Sequence, residues 1–326
     1  MGESTVVDWD LIVTRIRAGL CVPFLGAGAN ATGNGYQGLK LGSDVALELV
    51  SRATNIPPAE LRELARISGE TDLEHFSDLM GTGLQDLARV ALRAQYRKDW
   101  SYFLSTIKDI IPDDKCEPSP LLQTLAKLPF KLIVTTNYDR LMERALAAEG
   151  RDYELIVQPI DGFTARRQRE LTESLAAHDK LILYKLHGSF AEAGGDEPLI
   201  ISEEDYIGYL RIAGVKNKGV PALVQEKIVD STLLFLGYGL QDWDFRVIYK
   251  TLVEGLPPQK KRRSFAVQLD PSPFWVDYWG SDEKKVDIYN LDLYDFGKQL
   301  LEVNAAHAVC AFIAGDEAQG AGDGAG

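Results

Sequence analysis

Val22-Pro23-Phe24-Leu25-Gly26-Ala27-Gly28-Ala29-Asn30-Ala31 carries a strand-like apolar run straight into a glycine turn with G-x-G-x-x-A spacing. The first glycine permits a tight turn, and the second lets a ligand's pyrophosphate approach main-chain amides where a helix begins. A plain glycine turn leaving a buried strand fits the same residues, so the rest of the chain must decide between the two. No lysine of the phosphate-loop type follows the glycines. The acids about 20 positions on that a dinucleotide dehydrogenase requires, here Asp44 and Glu48, fall in a helical pattern rather than at a strand end.

Working outward, apolar runs resembling Cys21 to Leu25 recur at Lys131 to Thr135, Leu181 to Leu186, Leu233 to Leu236, Phe265 to Leu269 and Val286 to Tyr289. Continuous apolar runs bounded by turn residues are the pattern of parallel strands covered on both faces. Helical spacing fills the intervals at Trp9 to Ala18, Tyr138 to Ala148, Val220 to Val229, Phe245 to Val253 and Tyr294 to Ala306. The expected class is α/β, a Rossmann-like parallel sheet with helices on both faces and a smaller helical insertion. The insertion is residues 42–127, where Asp44 to Ala53, Pro58 to Ile67, Leu84 to Tyr96, Asp99 to Ile110 and Pro120 to Leu128 read as amphipathic helices. Residues 1–41 and 128–314 form the main domain. Residues 315–326, mostly Gly, Ala and acids, are expected to be a disordered tail.

Composition excludes several functions. Asp plus Glu number 48 against 35 Lys plus Arg, a formal charge of -13, which opposes a surface built to neutralise nucleic-acid phosphates. The basic run Lys260-Lys261-Arg262-Arg263 reads as a solvated loop. Cys21, Cys116 and Cys310 are far apart with no C-x-x-C pair, so neither a zinc ribbon nor a disulfide framework is expected, and no metal is assigned. There is no signal-peptide core or bilayer-length apolar run, and the expected location is cytoplasmic.

Three more strand ends carry polar residues. Ile133-Val134-Thr135-Thr136-Asn137-Tyr138-Asp139 delivers Asn137 and Asp139 to the C-terminal edge of the sheet, where open α/β folds place ligands. Either residue could instead cap the following helix. Leu183-Tyr184-Lys185-Leu186-His187-Gly188-Ser189 carries a lone histidine, a type that is usually structural or on the surface, but its place at a strand end beside a glycine that lets a ligand approach strengthens the case for acid–base work. Leu234-Phe235-Leu236-Gly237-Tyr238-Gly239-Leu240-Gln241-Asp242-Trp243-Asp244 ends in glycines followed by acids, with Asp242 or Asp244 also fit to cap a helix. Capping alone does not explain four such ends, and they are expected to share one cleft.

The order of these motifs resembles the sirtuin family over about residues 10 to 255. Within it, TTNYD at 135–139, KLHGS at 185–189, ISEEDY at 201–206 and GYGLQDWD at 237–244 are similar to the bacterial sirtuin-like branch that hydrolyses NAD in anti-phage defence. The resemblance implies that Gly26, Ala27 and Gly28 line the pyrophosphate, with Asn30 where sirtuins generally carry a serine. It also implies that Asn137 faces the nicotinamide ribose, Asp139 holds the carboxamide, His187 is the catalytic histidine, and Gly237 and Gly239 lie near the adenosine. Thr136 replaces the glutamine that usually precedes the key asparagine and is counted with the cofactor-binding residues.

The chemistry suits these residue types. Cleaving the nicotinamide–ribose bond creates an oxocarbenium-like centre, which needs a polar group to orient a weak nucleophile and a base to take its proton. Departures from deacylating sirtuins carry information too. The chain lacks a set of four zinc-binding cysteines, and Gly33-Asn34-Gly35-Tyr36-Gln37-Gly38-Leu39 replaces the serine-rich, proline–aspartate–phenylalanine–arginine loop. Both weigh against acyl-lysine recognition. The leading expectation is therefore an NAD glycohydrolase giving nicotinamide and ADP-ribose, with NAD as substrate. Unrestrained hydrolysis would empty the NAD pool, so control is expected, and the resemblance implies that it comes from a homo-oligomer or a defence partner such as a helicase-like ATPase, an Argonaute-type protein or a sensor. A protein deacylase or ADP-ribosyltransferase, and a non-catalytic module binding NAD or ADP-ribose, are the alternatives.

Overall fold

The computed structural model describes residues 6–64, 81–177, 180–190, 199–213, 219–254 and 261–320. In chain order, the first helix α1 (Trp9–Arg17) leads into β1 (Cys21–Leu25). Then come α2 (Gly42–Thr54), α3 (Pro58–Leu64), α4 (Leu87–Arg97), α5 (Trp100–Ile110), α6 (Pro120–Lys127), β2 (Leu132–Thr135) and α7 (Leu141–Ala148). The second half alternates β3 (Tyr153–Val157), α8 (Ala165–Ala177), β4 (Leu181–Lys185), α9 (Glu203–Ala213), α10 (Ala222–Asp230), β5 (Thr232–Leu236) and α11 (Trp243–Tyr249). It closes with β6 (Ser264–Val267), α12 (Pro273–Gly280), β7 (Val286–Tyr289) and α13 (Leu293–Gly320).

The strands form one sheet in the order β3-β4-β2-β1-β5-β6-β7, and every pairing is parallel. Side chains along each strand alternate between two cores, as the pleat requires. Leu25, Ile133, Leu183 and Leu236 pack with α1, α6, α7 and α13 on one face. Phe24, Val134, Tyr184 and Phe235 pack with α9, α10, α11 and α12 on the other. This is the Rossmann-like architecture expected from the alternating runs. Sequence patterning overlooked β3 because it is an edge strand that opens on the half-buried Tyr153 and Glu154 and exposes Leu155, so its apolar run is short and incompletely covered.

The sheet's wiring places the cleft. From β1 the chain leaves to one side for β2, β4 and β3, then returns across β1 to build β5, β6 and β7, so the order reverses at β1. Such a switch point leaves a crevice at the carboxyl ends of the strands. Register then aligns those ends. Leu25 pairs with both Thr135 and Leu236, and Thr135 pairs with Lys185. Residues 26, 136, 186 and 237 therefore leave the sheet side by side.

The interval between β1 and β2 is helical among its described residues, and α4, α5 and α6 each open on a capping side chain. Asp86 accepts from two amides at the start of α4, Asp99 from one at α5, and Ser119 from one at α6, where Pro120 occupies the first helical turn. Asn55 ends α2 in the left-handed conformation. Helix α6, counted with the insertion by sequence, packs on α7 and α13, because Leu121, Leu122 and Leu125 face the sheet's first core. Val45, Leu49, Phe103 and Ile107 of α2 and α5 join that same core. At the other end α13 continues past Gly315 to Gly320, Ala, Glu and Gln being compatible with helix propagation, and 321–326 lie outside the described residues. The end of the helix expected at Pro58 to Ile67, and Lys260, also lie outside them.

Candidate active site

A cleft of about 730 Å³ opens over the carboxyl ends of β1, β2, β4 and β5. Its floor brings together Ala27, Gly28, Thr136, Asn137, Asp139, His187, Gly237 and Gly239, while Leu39, Leu41, Val45, Asp86 and Leu87 from the β1–β2 interval roof it. Gly26 and Asn30 are not among the lining residues and stand behind it.

The glycines are required first by each other. Gly26 N–H donates to Leu236 O and Gly28 N–H to Gly237 O, both at 2.9 Å. A Cβ on Gly26 would meet Gly237 O at 2.6 Å, and one on Gly28 would meet Gly237 Cα at 2.8 Å. Gly237 is held at φ +80, and a Cβ there would lie 2.2 Å from Ala29 N. The turns after β1 and β5 are thus locked backbone to backbone. Tyr238 secures them by donating to Leu25 O at 3.1 Å and lying 3.2 Å from Thr136 Oγ1. Asn137 adds a further tie, its Nδ2 donating to Gly26 O at 3.0 Å while its own N–H donates to Thr135 Oγ1.

Asp139 both caps and faces the cleft. Its Oδ1 accepts from Leu141 N–H at 3.0 Å, the capping role that Asp at this position invites, and from Asn30 Nδ2 at 3.2 Å. Burial pushes its carboxyl up to about 6 even though Lys185 and the Leu141 amide favour the ion. Asn30 therefore serves as a buried brace for Asp139, and its Oδ1 has no partner.

His187 is 2% exposed, and burial in apolar surroundings holds its imidazole down to about 3, so it is neutral at physiological pH. Tyr206 and Tyr209 of α9 meet it edge-on, with ring centroids 5.1 and 6.1 Å away. Nδ1 lies 3.5 Å from Tyr206 Oη, and Nε2 has no hydrogen-bond partner among the described residues. The segment that carries these tyrosines is pinned to the histidine loop: Ile200 N–H donates to His187 O, and Tyr138 Oη donates to Ile200 O at 2.8 Å. Ser202 and Asp205 then start α9 reciprocally, Ser202 N–H donating to Asp205 Oδ2 at 2.8 Å and Asp205 N–H to Ser202 Oγ at 3.3 Å. This explains the ISEEDY stretch, which presents Ile201 and Tyr206 to the cleft. Tyr206, Tyr238, Gln241 and Asp242 line the site without having been singled out for it. Tyr206 and Tyr238 were legible only as members of quoted motifs, since tyrosine spacing carries no site signal of its own.

A family model, SIR2-like domain, matches residues 131–291, from β2 through β7. Residues 131–291 are thus similar to a SIR2-like domain. That stretch contains Asn137, Asp139, His187 and Gly237, while the β1 glycine turn and the roof precede the matched residues. The chain is 26% identical over 171 residues to Defense-associated sirtuin 2 of Bacillus subtilis, covering 52% of this chain and 15% of that protein. It is 34% identical over 127 residues to NAD(+) hydrolase ThsA of Acinetobacter baumannii, covering 39% of this chain and 23% of the relative. A second NAD(+) hydrolase ThsA, from Cytobacillus dafuensis, is 27% identical over 124 residues, covering 38% and 22%. The matched stretches thus span less than a quarter of these relatives. Among solved structures, a Sir2 mutant with a p53 peptide and NAD aligns over 92% of this chain and 100% of its own at a TM-score of 0.40 and 14% identity. Among the described residues, no group of three or more His, Cys, Asp or Glu is placed to hold a metal. No described helix is long and apolar enough to cross a membrane.

Proposed function

We propose that this chain hydrolyses NAD to nicotinamide and ADP-ribose, acting in the cytoplasm as a regulated effector of anti-phage defence. The observation that carries this reading is a neutral, buried His187 with an unpartnered Nε2, lining one cleft with Asn137 and Asp139. Two of the similar proteins are named as NAD(+) hydrolases, and the third as a defence-associated sirtuin.

The residues divide the work. Asp139 accepts from the nicotinamide carboxamide, and Asn137 orients water and the ribose hydroxyls. Ala27, Gly28, Thr136, Gly237 and Gly239 supply the surface for the phosphates and adenosine, with Gly26 and Asn30 supporting it from behind. The C1′–N bond breaks with its electron pair leaving on nicotinamide, water adds to the electron-poor C1′, and water's proton passes to His187 Nε2 and then to solvent. A histidine held near 3 is adequate for this step. Water bonding to an oxocarbenium centre becomes an oxonium, a stronger acid than the imidazolium even in this site. Neutrality helps as well, because a charged imidazolium would repel the cation that develops at C1′.

Unrestrained turnover would empty a cell's NAD pool, so control by homo-oligomerisation or by a defence partner is part of the proposal, with NAD as the only small-molecule partner and nucleic acid not bound directly. The test is to incubate the purified protein with NAD and no acylated peptide, quantifying both products with light scattering on the same sample. Equimolar nicotinamide and ADP-ribose support the hydrolase. A requirement for acylated peptide would support a deacylase, and NAD binding without products at every assembly state would support a pure binding module.

A further inference from the structure

One buried cation lies beneath the proposed site and takes no part in the chemistry above. Lys185, the last residue of β4, is 0% exposed and stands two residues before His187. Its ammonium donates to Asp139 O at 2.5 Å, to Tyr138 O at 3.3 Å and to Glu143 Oε1 at 2.8 Å. Three donors thus meet three acceptors, and the ammonium is fully used. Two of those acceptors are the main-chain carbonyls of the segment that carries Asp139 into the cleft. The third is a carboxylate on the first turn of α7, whose second oxygen is buried without a partner.

We propose that Lys185 and Glu143 are positioning residues for the reaction: Lys185 clamps the Tyr138–Asp139 backbone against the strand that leads to His187, and Glu143 holds the Lys185 ammonium in that clamp. The inference rests on the reading of the cleft as an NAD site only for its effect on turnover, not for the clamp itself. The charges facing Asp139 come from several elements. Lys185 on β4 favours the carboxylate, whereas Glu143 on α7 and Asp113, in the turn after α5, disfavour it. Asp113 is itself paired with Arg140 at 3.0 Å. Tyr36 and Cys116 also lie within electrostatic reach of Asp139 and are neutral near pH 7, burial holding both above their usual values. Asn30 contributes an uncharged donor.

The arrangement makes an opposed prediction that packing alone does not. Glu143→Gln keeps an oxygen for Lys185 but removes the negative charge, so the midpoint for Asp139 should move to lower pH. Lys185→Met removes the positive charge, so the midpoint should move to higher pH, each by about one unit. The test is an NMR titration of a 13C-labelled Asp139 carboxyl carbon in the whole chain, alongside the pH dependence of kcat/KM for NAD. Opposite displacements of the midpoint, followed by the acid limb of kcat/KM, support the proposal. Displacements in the same direction, or none in Glu143→Gln, overturn it. If Lys185→Met does not fold, the sign of the Glu143→Gln displacement decides alone. An opposed NMR response without any NAD turnover would sustain the clamp while removing the hydrolase reading.

Discussion

The two walls of the cleft are built on contrary terms. On the glycine side, the turns after β1 and β5 spend main-chain donors on each other, and contacts under 3 Å leave no space for a single added carbon. On the histidine side, buried polar atoms without partners among the described residues gather: Nε2 of His187, Oδ1 of Asn30 behind Asp139, Oε2 of Glu143 and Oη of Tyr209. Unpaired buried polar groups are costly, and native structures keep few of them. The difference teaches that the glycine wall is a matter of folding, fixed before any ligand arrives, and that the histidine wall holds unspent bonding capacity at the place where proposed chemistry needs it.

The largest expected effect breaks the rigid wall. Gly237→Ala places a methyl against Ala29 N at a positive φ, and should cost more than about 4 kcal/mol, read as loss of soluble folded protein or of the cooperative thermal transition. Gly35→Ala is the control, since Gly35 also has positive φ but nothing within 4 Å; it should lose only the conformational term, on the order of 1 kcal/mol.

The next effect sharpens the other wall. Asp139 has its carboxyl at about 6 in the fold, against an ordinary value of 3.8. The fold therefore favours the protonated acid. Stability from this group is full below the ordinary value and is lost as pH rises from 3.8 to about 6, a penalty of roughly 3 kcal/mol above that window. Asp139→Asn keeps an oxygen for the Leu141 and Asn30 donors and removes the charge. The variant should melt higher than the parent at pH 8, match it near pH 4, and turn over NAD more slowly; equal melting at pH 8 would show that the carboxylate is not strained. The activity of the parent should fall on acidification through about 6, where Asp139 takes a proton, and not at about 3, where His187 does.

A smaller effect probes the link between the walls and α9. Ser202→Ala removes one half of the reciprocal cap, and should lower stability by about 1 kcal/mol in chemical denaturation while raising the KM for NAD, because Ile201 and Tyr206 lose their anchor.

Much of the rigid wall was legible in the sequence, and less of the reactive one. Glycines at 26, 28 and 237 follow apolar runs, and strand–helix alternation fixes the edge at which they emerge. What the sequence did not disclose is that these glycines serve a backbone-to-backbone contact across two strands whose paired residues, such as Leu25 and Leu236, are far apart in the chain, since that follows from the β1–β5 pairing. Asn137, Asp139 and His187 were identifiable from their places at strand ends, and they do share one cleft. Asn30, read as a ligand contact, is buried and donates to Asp139, a link that the sequence does not disclose. Lys185 was hidden by its own position: a lysine within an apolar run reads as the polar end of a strand, and only the packing of α7 supplies its carboxylate. The edge strand β3 and the helix α12 escaped for lack of periodic burial on a short segment.

The measurement that tests the central claim most directly is nicotinamide release from NAD by the parent protein and by His187→Ala, with NAD affinity determined calorimetrically for both. The account predicts nicotinamide and ADP-ribose from the parent, and a loss on the order of 10²–10⁴ in rate for the variant with affinity nearly unchanged. Release that persists in His187→Ala at the parent's rate would contradict it.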